Sequence, residues 1–267
     1  MERRARSSTH SSILTVMMTA AHKAARGLTR DFGEIENLQT SRKGPGGFVT
    51  ASDLKAEETL RYELSKARPS YGFLLEESGV VEGEDPEYTW IVDPLDGTTN
   101  FRHGLPYFAI SIALKKGSEI IAGVIYDPIK DEMFVAEKGR GAFMNDRRLR
   151  VSGRKDLSSA LLGTGVTIAN PQFHNKFLES LGKILPLSGG IRRMGAAALD
   201  LAYVAAGRLD GYWENTLKAW DVAAAIVIIR EAGGIITDLE NKNKEANEGG
   251  VIAGNPSIHE HLRNILE

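Results

Sequence analysis

Apolar residues Ile13, Met17, Ala20, Ala24 and Leu28 recur at intervals of three and four, the spacing that keeps one stripe of a helix against a core. A second amphipathic helix is predicted from Ser52 or Asp53, as N-cap, to Arg68, where Pro69 ends it. Between them lies Lys43-Gly44-Pro45-Gly46-Gly47, whose glycines and proline predict a mobile turn or hairpin tip. The rhythm then changes: apolar runs at 73–75, 89–92, 108–114, 123–126 and 133–136, each bounded by Gly, Pro or Asp, predict strands. The second half alternates, with strands near 160–163, 211–213 and 234–237 and helices over 171–185, 196–206, 221–232 and 256–266. Strands in series after paired helices predict an α+β layout. No repeat or low-complexity linker divides the chain. The expectation is therefore one domain over 12–267, in two tightly packed subdomains that break near 150–160.

Composition narrows the function classes. The chain has 267 residues, and 33 Lys and Arg stand against 35 Asp and Glu, a net charge of −2 that excludes a dedicated nucleic-acid or membrane-surface protein. The absence of cysteine excludes disulfides and thiolate chemistry, restricts any metal to oxygen or imidazole ligands, and makes a reducing cytoplasm the expected location. The longest apolar stretches, such as 222–229, fall far short of the ~20 residues of a membrane span. Residues 1–30 carry six bases against Glu2 alone; lacking an apolar h-region, residues 1–11 are expected to be a disordered leader rather than a transit peptide.

The near-zero sum hides an asymmetry. From Pro69 to Phe101 there are eight acids and no Lys or Arg. Within it, Trp90-Ile91-Val92-Asp93-Pro94-Leu95-Asp96-Gly97-Thr98-Thr99-Asn100-Phe101 delivers Asp93 at the C-terminal end of a strand, where an open sheet presents functional groups. Pro94 breaks the ladder, so Asp96 can turn toward the same point while Leu95 offers its carbonyl. Two carboxylates this close repel one another, and a hard divalent cation is the simplest way to keep both ionised. Gly97 and Thr98 then expose amides suited to a phosphate. Asp221, just before an apolar run, reads as a helix N-cap.

Three separated segments, Glu76-Glu77-Ser78-Gly79, the run from Trp90 to Phe101, and Trp220-Asp221-Val222-Ala223-Ala224-Ala225 followed by Glu231-Ala232-Gly233-Gly234, resemble the inositol monophosphatase family, most nearly its bacterial suhB-type branch, from about Ile13 to the C-terminus. The resemblance implies a layered α-β-α-β-α sandwich and a lithium-sensitive, homodimeric, Mg²⁺-dependent phosphomonoesterase with two to three ions per site. By motif position it implies one metal site from Glu76, Asp93 and the Leu95 carbonyl, a second from Asp93, Asp96 and Asp221, and a third, weaker one near Glu76 and Glu77. Glu76 and Thr98 would position the attacking water, and Asp53 would orient the outer water network, with Lys43 nearby. Gly97 and Thr98 would hold phosphate, and Gly195, Ala196 and Glu214 the organic part, alongside Asp96 and Asp221. Ala196 stands where relatives carry Thr or Ser, and Leu75 where they often carry Gly.

The expected substrate is inositol-1-phosphate. Related alternatives are fructose-1,6-bisphosphate, histidinol phosphate and a nucleotide 3′-phosphate. Relatives of this type also imply an association with RNA polymerase in antitermination or ribosome biogenesis. His259 and His261, two apart on a helix, make a poor metal pair and are expected at the surface, and the basic stretch from Arg147 to Lys155 is expected to be a solvated loop. Trp90, Trp213 and Trp220 are expected to be packing residues.

Overall fold

The computed structural model describes residues 10–34, 40–42, 48–166, 171–239, 242 and 248–267. The glycine-rich turn with Lys43 lies outside the described residues. Helix α1 (Ser12–Gly33) opens where the Ser11 hydroxyl accepts the amide of Leu14 at 3.2 Å, and it buries Leu14, Met17, Ala20, Ala21, Ala24, Ala25 and Leu28. Four of the five predicted positions are in this stripe; Leu14 is buried in place of the half-buried Ile13, and Ala21 and Ala25 widen it. After the short antiparallel pair β1 (Thr40–Arg42) and β2 (Phe48–Thr50) comes α2 (Ala51–Ala67), which packs on α1.

Eight strands form the larger sheet: β3 (Tyr71–Leu75), β4 (Gly79–Val81), β5 (Asp85–Asp96), β6 (Ala109–Lys116), β7 (Glu119–Asp127), β8 (Glu132–Glu137), β9 (Gly141–Met144) and β10 (Arg147–Arg148). Their order is β10-β9-β8-β7-β6-β5-β3-β4, antiparallel throughout except for the parallel pair β3 and β5. The short helix α3 (Thr98–Arg102) links β5 to β6. The smaller sheet orders β12 (Gly190–Arg192), β11 (Leu161–Thr164), β13 (Gly211–Leu217), β15 (Gly249–Gly254) and β14 (Ile235–Thr237). Helices α4 (Gln172–Ile184), α5 (Ala197–Ala205), α6 (Ala219–Glu231) and α7 (Pro256–Leu266) complete the α-helices among the described residues.

Side-chain alternation explains the layering. On β5, Trp90 and Val92 face the α1–α2 side while Ile91 faces α5 and α6; on β6, Ile110, Ile112 and Leu114 oppose Ala109 and Ala113 in the same way. A third cluster joins Leu162, Trp213 and Ile252 of the smaller sheet to Ile258 and Leu262 of α7. The result is α1 and α2, the larger sheet, α5 and α6, the smaller sheet, then α4 and α7: the expected five-layer α-β-α-β-α sandwich. Strands buried on both faces read as apolar runs rather than as alternation, which is why the sequence marks them. Trp90 and Trp213 are fully buried, and Trp220 packs against the central cluster, as expected.

Two expectations are corrected. The strand predicted over 89–92 runs on to Asp96, because Pro94 sits in a bulge rather than at a strand end: Asp93 pairs with Ser111 and Asp96 with Ala109. His259 is buried, not at the surface; its Nε2 lies 2.9 Å from the Thr237 hydroxyl, a partner that helical spacing could not reveal. His261 is exposed, as expected.

Candidate active site

Because β3 and β5 run parallel and in register at Leu75 and Val92, their C-terminal ends emerge side by side with Glu76 next to Asp93. The Glu76 amide donates to the Val92 carbonyl at 3.2 Å, which fixes this juxtaposition. Asp93 is buried, and its Oδ1 accepts the Leu95 amide at 2.9 Å across the bulge. Its partner on β6, Ser111, donates its hydroxyl to the Trp220 carbonyl at 3.3 Å, tying the first turn of α6 to the strand beside Asp93. Gly123 on β7 permits the approach of that helix, since a Cβ there would stand 2.6 Å from the Ala224 carbonyl oxygen.

Asp221 is therefore held close to the β5 carboxylates, but not as the expected N-cap. The N-cap is Lys218, and Asp221, three residues on, accepts the Lys218 amide through Oδ2 at 2.7 Å. The apolar run marks the helix interior, and the helix begins at Ala219, three residues before that run.

The electrostatics join the four acids. Burial, followed by the charges of Glu76, Asp96 and Asp221, holds the Asp93 carboxyl well above the usual carboxylate range, and a hydrogen bond with Glu76 adds to this. Burial and the Asp221 charge push Asp96 up as well, against the opposing hydrogen bond from the Ala198 amide. Burial raises Asp221 to about 6. Burial and the three acidic neighbours outweigh the Leu95 amide that Asp93 accepts. Among the described residues, no three His, Asp or Glu side chains are already drawn into a ligand cage. The cluster is a shared negative field made of hard oxygen donors, which suits a small divalent cation in chemistry and in charge.

The predicted residues divide into those facing this cluster and those facing a cavity beside it. A cleft of about 270 Å³ is lined by Asp96, Gly195, Ala196, Glu214 and Asp221, so the expected organic-side residues share one space with two of the acids. Gly195 is left-handed at φ +91°, and Ala196 is the N-cap of α5. Asp96 reaches this helix, where its Oδ2 accepts the Ala198 amide at 2.7 Å. Gly97, at φ +92°, packs so close that a Cβ would lie 3.1 Å from that of Ala196. The Thr98 hydroxyl does not point into the cleft: it donates to the Leu95 carbonyl at 3.0 Å, joining two groups that were expected to serve ligands separately. Glu77 is half-buried beyond Glu76, and Asp53 is buried in the first turn of α2. Leu75 is fully buried among the core residues beneath the site.

Several contributors carried no sequence signal. The buried Tyr212 hydroxyl donates to Oε2 of Glu214, and burial holds that carboxyl at about 8. The Tyr107 hydroxyl donates to Asp200 at 2.6 Å, and burial raises Asp200 to about 7 even though that bond and Arg193 oppose it. Asn100 donates to the carbonyls of Tyr107 and Met194, both at 2.8 Å, and so staples α3 to the segment before β6 and to the irregular segment between β12 and α5. Asn100 lay in plain view within the 90–101 run. Glu214, Tyr212 and Asp200 become legible as a group only when β13 and α5 are placed together.

A model of the inositol monophosphatase family matches residues 9–267. A Mesorhizobium japonicum protein named inositol-1-monophosphatase is 55% identical over 252 residues, covering 94% of this chain and 95% of the relative. The Pseudomonas aeruginosa protein named Nus factor SuhB is 41% identical, covering 96% of each chain. The crystal structure of extragenic suppressor protein suhB from Bartonella henselae superposes with a TM-score of 0.92 at 52% identity, over 96% of this chain and 99% of that one.

Proposed function

The chain belongs to the inositol monophosphatase family, and from that premise we propose that it is a Mg²⁺-dependent phosphomonoesterase that hydrolyses inositol-1-phosphate to inositol and phosphate. The observation that supports this reading is the buried Asp93, raised by its burial and by three neighbouring acids. Glu76, Asp93 and the Leu95 carbonyl would hold one ion; Asp93, Asp96 and Asp221 a second; a third would sit through water near Glu76 and Glu77. Bound Mg²⁺ would supply positive charge to the phosphoryl oxygens and the departing alkoxide and lower the pKa of water.

The chain's own residues divide the remaining work. Glu76 orients the attacking water and accepts its proton, assisted by Thr98. The amides of Gly97 and Thr98 hold phosphate oxygens, and Asp53 orders the outer water. Glu214, Gly195 and Ala196 orient the polyol in the cleft, with Tyr212 holding Glu214 in place. Lys43 belongs to the same outer network in this reading. The cytoplasm and a homodimer are part of the proposal. No described helix is long and apolar enough to cross a membrane.

A phosphate-release panel tests the reading, using inositol-1-phosphate, fructose-1,6-bisphosphate, histidinol phosphate and adenosine 3′,5′-bisphosphate, each with and without Mg²⁺ and Li⁺. Fastest release from inositol-1-phosphate, dependent on Mg²⁺ and inhibited by Li⁺, is expected. Preference for another member reassigns the substrate, and no release from any of them overturns the enzyme reading. The name of the Pseudomonas aeruginosa relative supports a second role beside the first, association with the transcription machinery. Co-purification of RNA polymerase with the tagged chain from its own host is expected, and its absence counts against that role.

A further inference from the structure

We propose that Glu57 on α2 is a positioning residue that aims Glu76 into the carboxylate cluster and thereby sets the affinity of that cluster for a divalent cation; this rests on the reading of the cluster given above. Glu57 is 3% exposed, and both of its carboxylate oxygens end on the two residues that follow Glu76. Oε2 accepts the Glu77 amide at 2.8 Å, and Oε1 accepts the Ser78 hydroxyl. On its other flank Glu76 is held by its own amide, which donates to the Val92 carbonyl at 3.2 Å. Residue 76 is thus clamped between β5, the strand that carries Asp93, and α2 in the outer layer.

The clamp has a physical purpose. The turn from β3 to β4 ends at Gly79 in the left-handed region, φ +76°, with nothing packed against the position of its missing Cβ. Leu75 and Gly79 pair across this turn, and the Glu57 contacts fix the residues between them. Placing a carboxylate under the turn is costly in itself, because burial of an acid is tolerated only when its oxygens are matched by donors. Both matches here go to the segment adjoining one proposed ligand, so the cost is tied to the orientation of Glu76. Partners of this kind, hydrogen-bonded to the backbone around a ligand, commonly tune metal affinity. The clamp acts through the backbone of residue 77 and the hydroxyl of Ser78, and is therefore separate from any contribution by the Glu77 side chain.

The chemistry of the side chain makes the proposal testable by graded substitution. In Glu57→Gln the amide oxygen still accepts the Glu77 amide, and its NH₂ can donate to the Ser78 hydroxyl, which reverses role and becomes an acceptor. Glu57→Ala removes both partners. Two measurements on the full-length chain separate positioning from plain support of the fold: amide hydrogen exchange at Glu77 in metal-free protein, and Mg²⁺ affinity by isothermal titration calorimetry.

Glu57→Ala is expected to lose exchange protection at Glu77 and to bind Mg²⁺ about 10- to 100-fold more weakly, while Glu57→Gln stays within about threefold of wild type. Leu60→Ala, a core truncation on the same helix, is expected to lower the unfolding temperature while leaving Mg²⁺ affinity unchanged. If Glu57→Ala does not fold, the double variant Glu57→Gln with Ser78→Ala takes its place. It strands the glutamine NH₂ and is expected to bind Mg²⁺ more weakly than either single variant. Wild-type Mg²⁺ affinity in Glu57→Ala, or equal loss in Glu57→Gln and Leu60→Ala, overturns the role of Glu57 alone. A wild-type chain that binds no Mg²⁺ overturns the cluster reading itself.

Discussion

At the scale of single residues, the site is defined by buried carboxylates that raise one another above the ordinary range. Asp93 is shared between two proposed ion sites, so Asp93→Asn removes several kcal/mol of electrostatic stabilisation and should lower turnover by about 10³-fold or more in phosphate-release assays. Glu214 acts elsewhere. Its carboxyl, held by Tyr212, lines the cleft beside Asp96 and Asp221 as a proposed polyol contact, so Glu214→Gln should raise KM for inositol-1-phosphate by about tenfold while changing hydrolysis of p-nitrophenyl phosphate, which has no polyol, far less. Equal losses on both substrates would move Glu214 into the phosphate site.

Protonation follows at the same scale. Asp93, Asp96 and Asp221 have folded-state pKa values above their ordinary ones, with Asp221 at about 6 against 3.8. The folded chain therefore binds more protons than the unfolded chain between those values, so stability of the metal-free protein falls as pH rises through this range. Mg²⁺ should reverse the trend, because it binds the ionised carboxylates of the folded state. Urea unfolding at pH 5 and pH 8, with and without Mg²⁺, should show a midpoint that falls with pH without the ion and recovers with it. A midpoint insensitive to Mg²⁺ at pH 8 would contradict this.

At the scale of elements, the site depends on how closely α6 lies on the larger sheet. Gly123→Ala would place a Cβ 2.6 Å from the Ala224 carbonyl and 3.0 Å from its Cα, both backbone atoms that cannot move independently of the helix. The helix must shift and carry Asp221 with it. A loss of about 1–3 kcal/mol in unfolding free energy, with weaker Mg²⁺ binding, is expected from denaturation and calorimetry. Unchanged values for both would mean that α6 is not the rigid support inferred here.

A different element carries the opposite pH sign. On α7, burial and then Arg263 lower His259 below its ordinary 6.5. Its contribution to stability is complete above the unfolded value and is lost as pH falls below it. Comparing His259→Gln with wild type at pH 8 and pH 5.5 should show a smaller acid-induced loss in the variant.

Element existence was largely written in the apolar runs, since most of β5 to β8 and α1 to α7 follow from periodicity. Short strands escaped: β12 has three residues and β15 begins with paired glycines, so neither presents a run long enough to stand out. Boundaries moved where one backbone device outranked propensity, at the Pro94 bulge and at the first turn of α6.

At the scale of the whole molecule, what the sequence could not state was adjacency. The parallel pairing of β3 with β5, between strands otherwise arranged antiparallel, sets Glu76 beside Asp93, and it follows from sheet order rather than from any local pattern. The acidic run and Asp221 were legible because they cluster in the chain or precede an apolar helix. Glu57 was not, because on paper it is one more acid on an amphipathic helix; only burial under the turn distinguishes it. The net charge of −2 likewise averages a concentrated negative site against bases placed elsewhere.

Phosphate release from inositol-1-phosphate at neutral pH shows whether this negative site binds Mg²⁺ to hydrolyse a phosphomonoester. Wild type and Asp93→Asn would be compared across a Mg²⁺ titration after removal of divalent ions with EDTA. No release is expected without Mg²⁺, with saturable activation in wild type and loss of that activation in Asp93→Asn. Release by the wild type that persists in EDTA, or Asp93→Asn activated as wild type is, would contradict this reading.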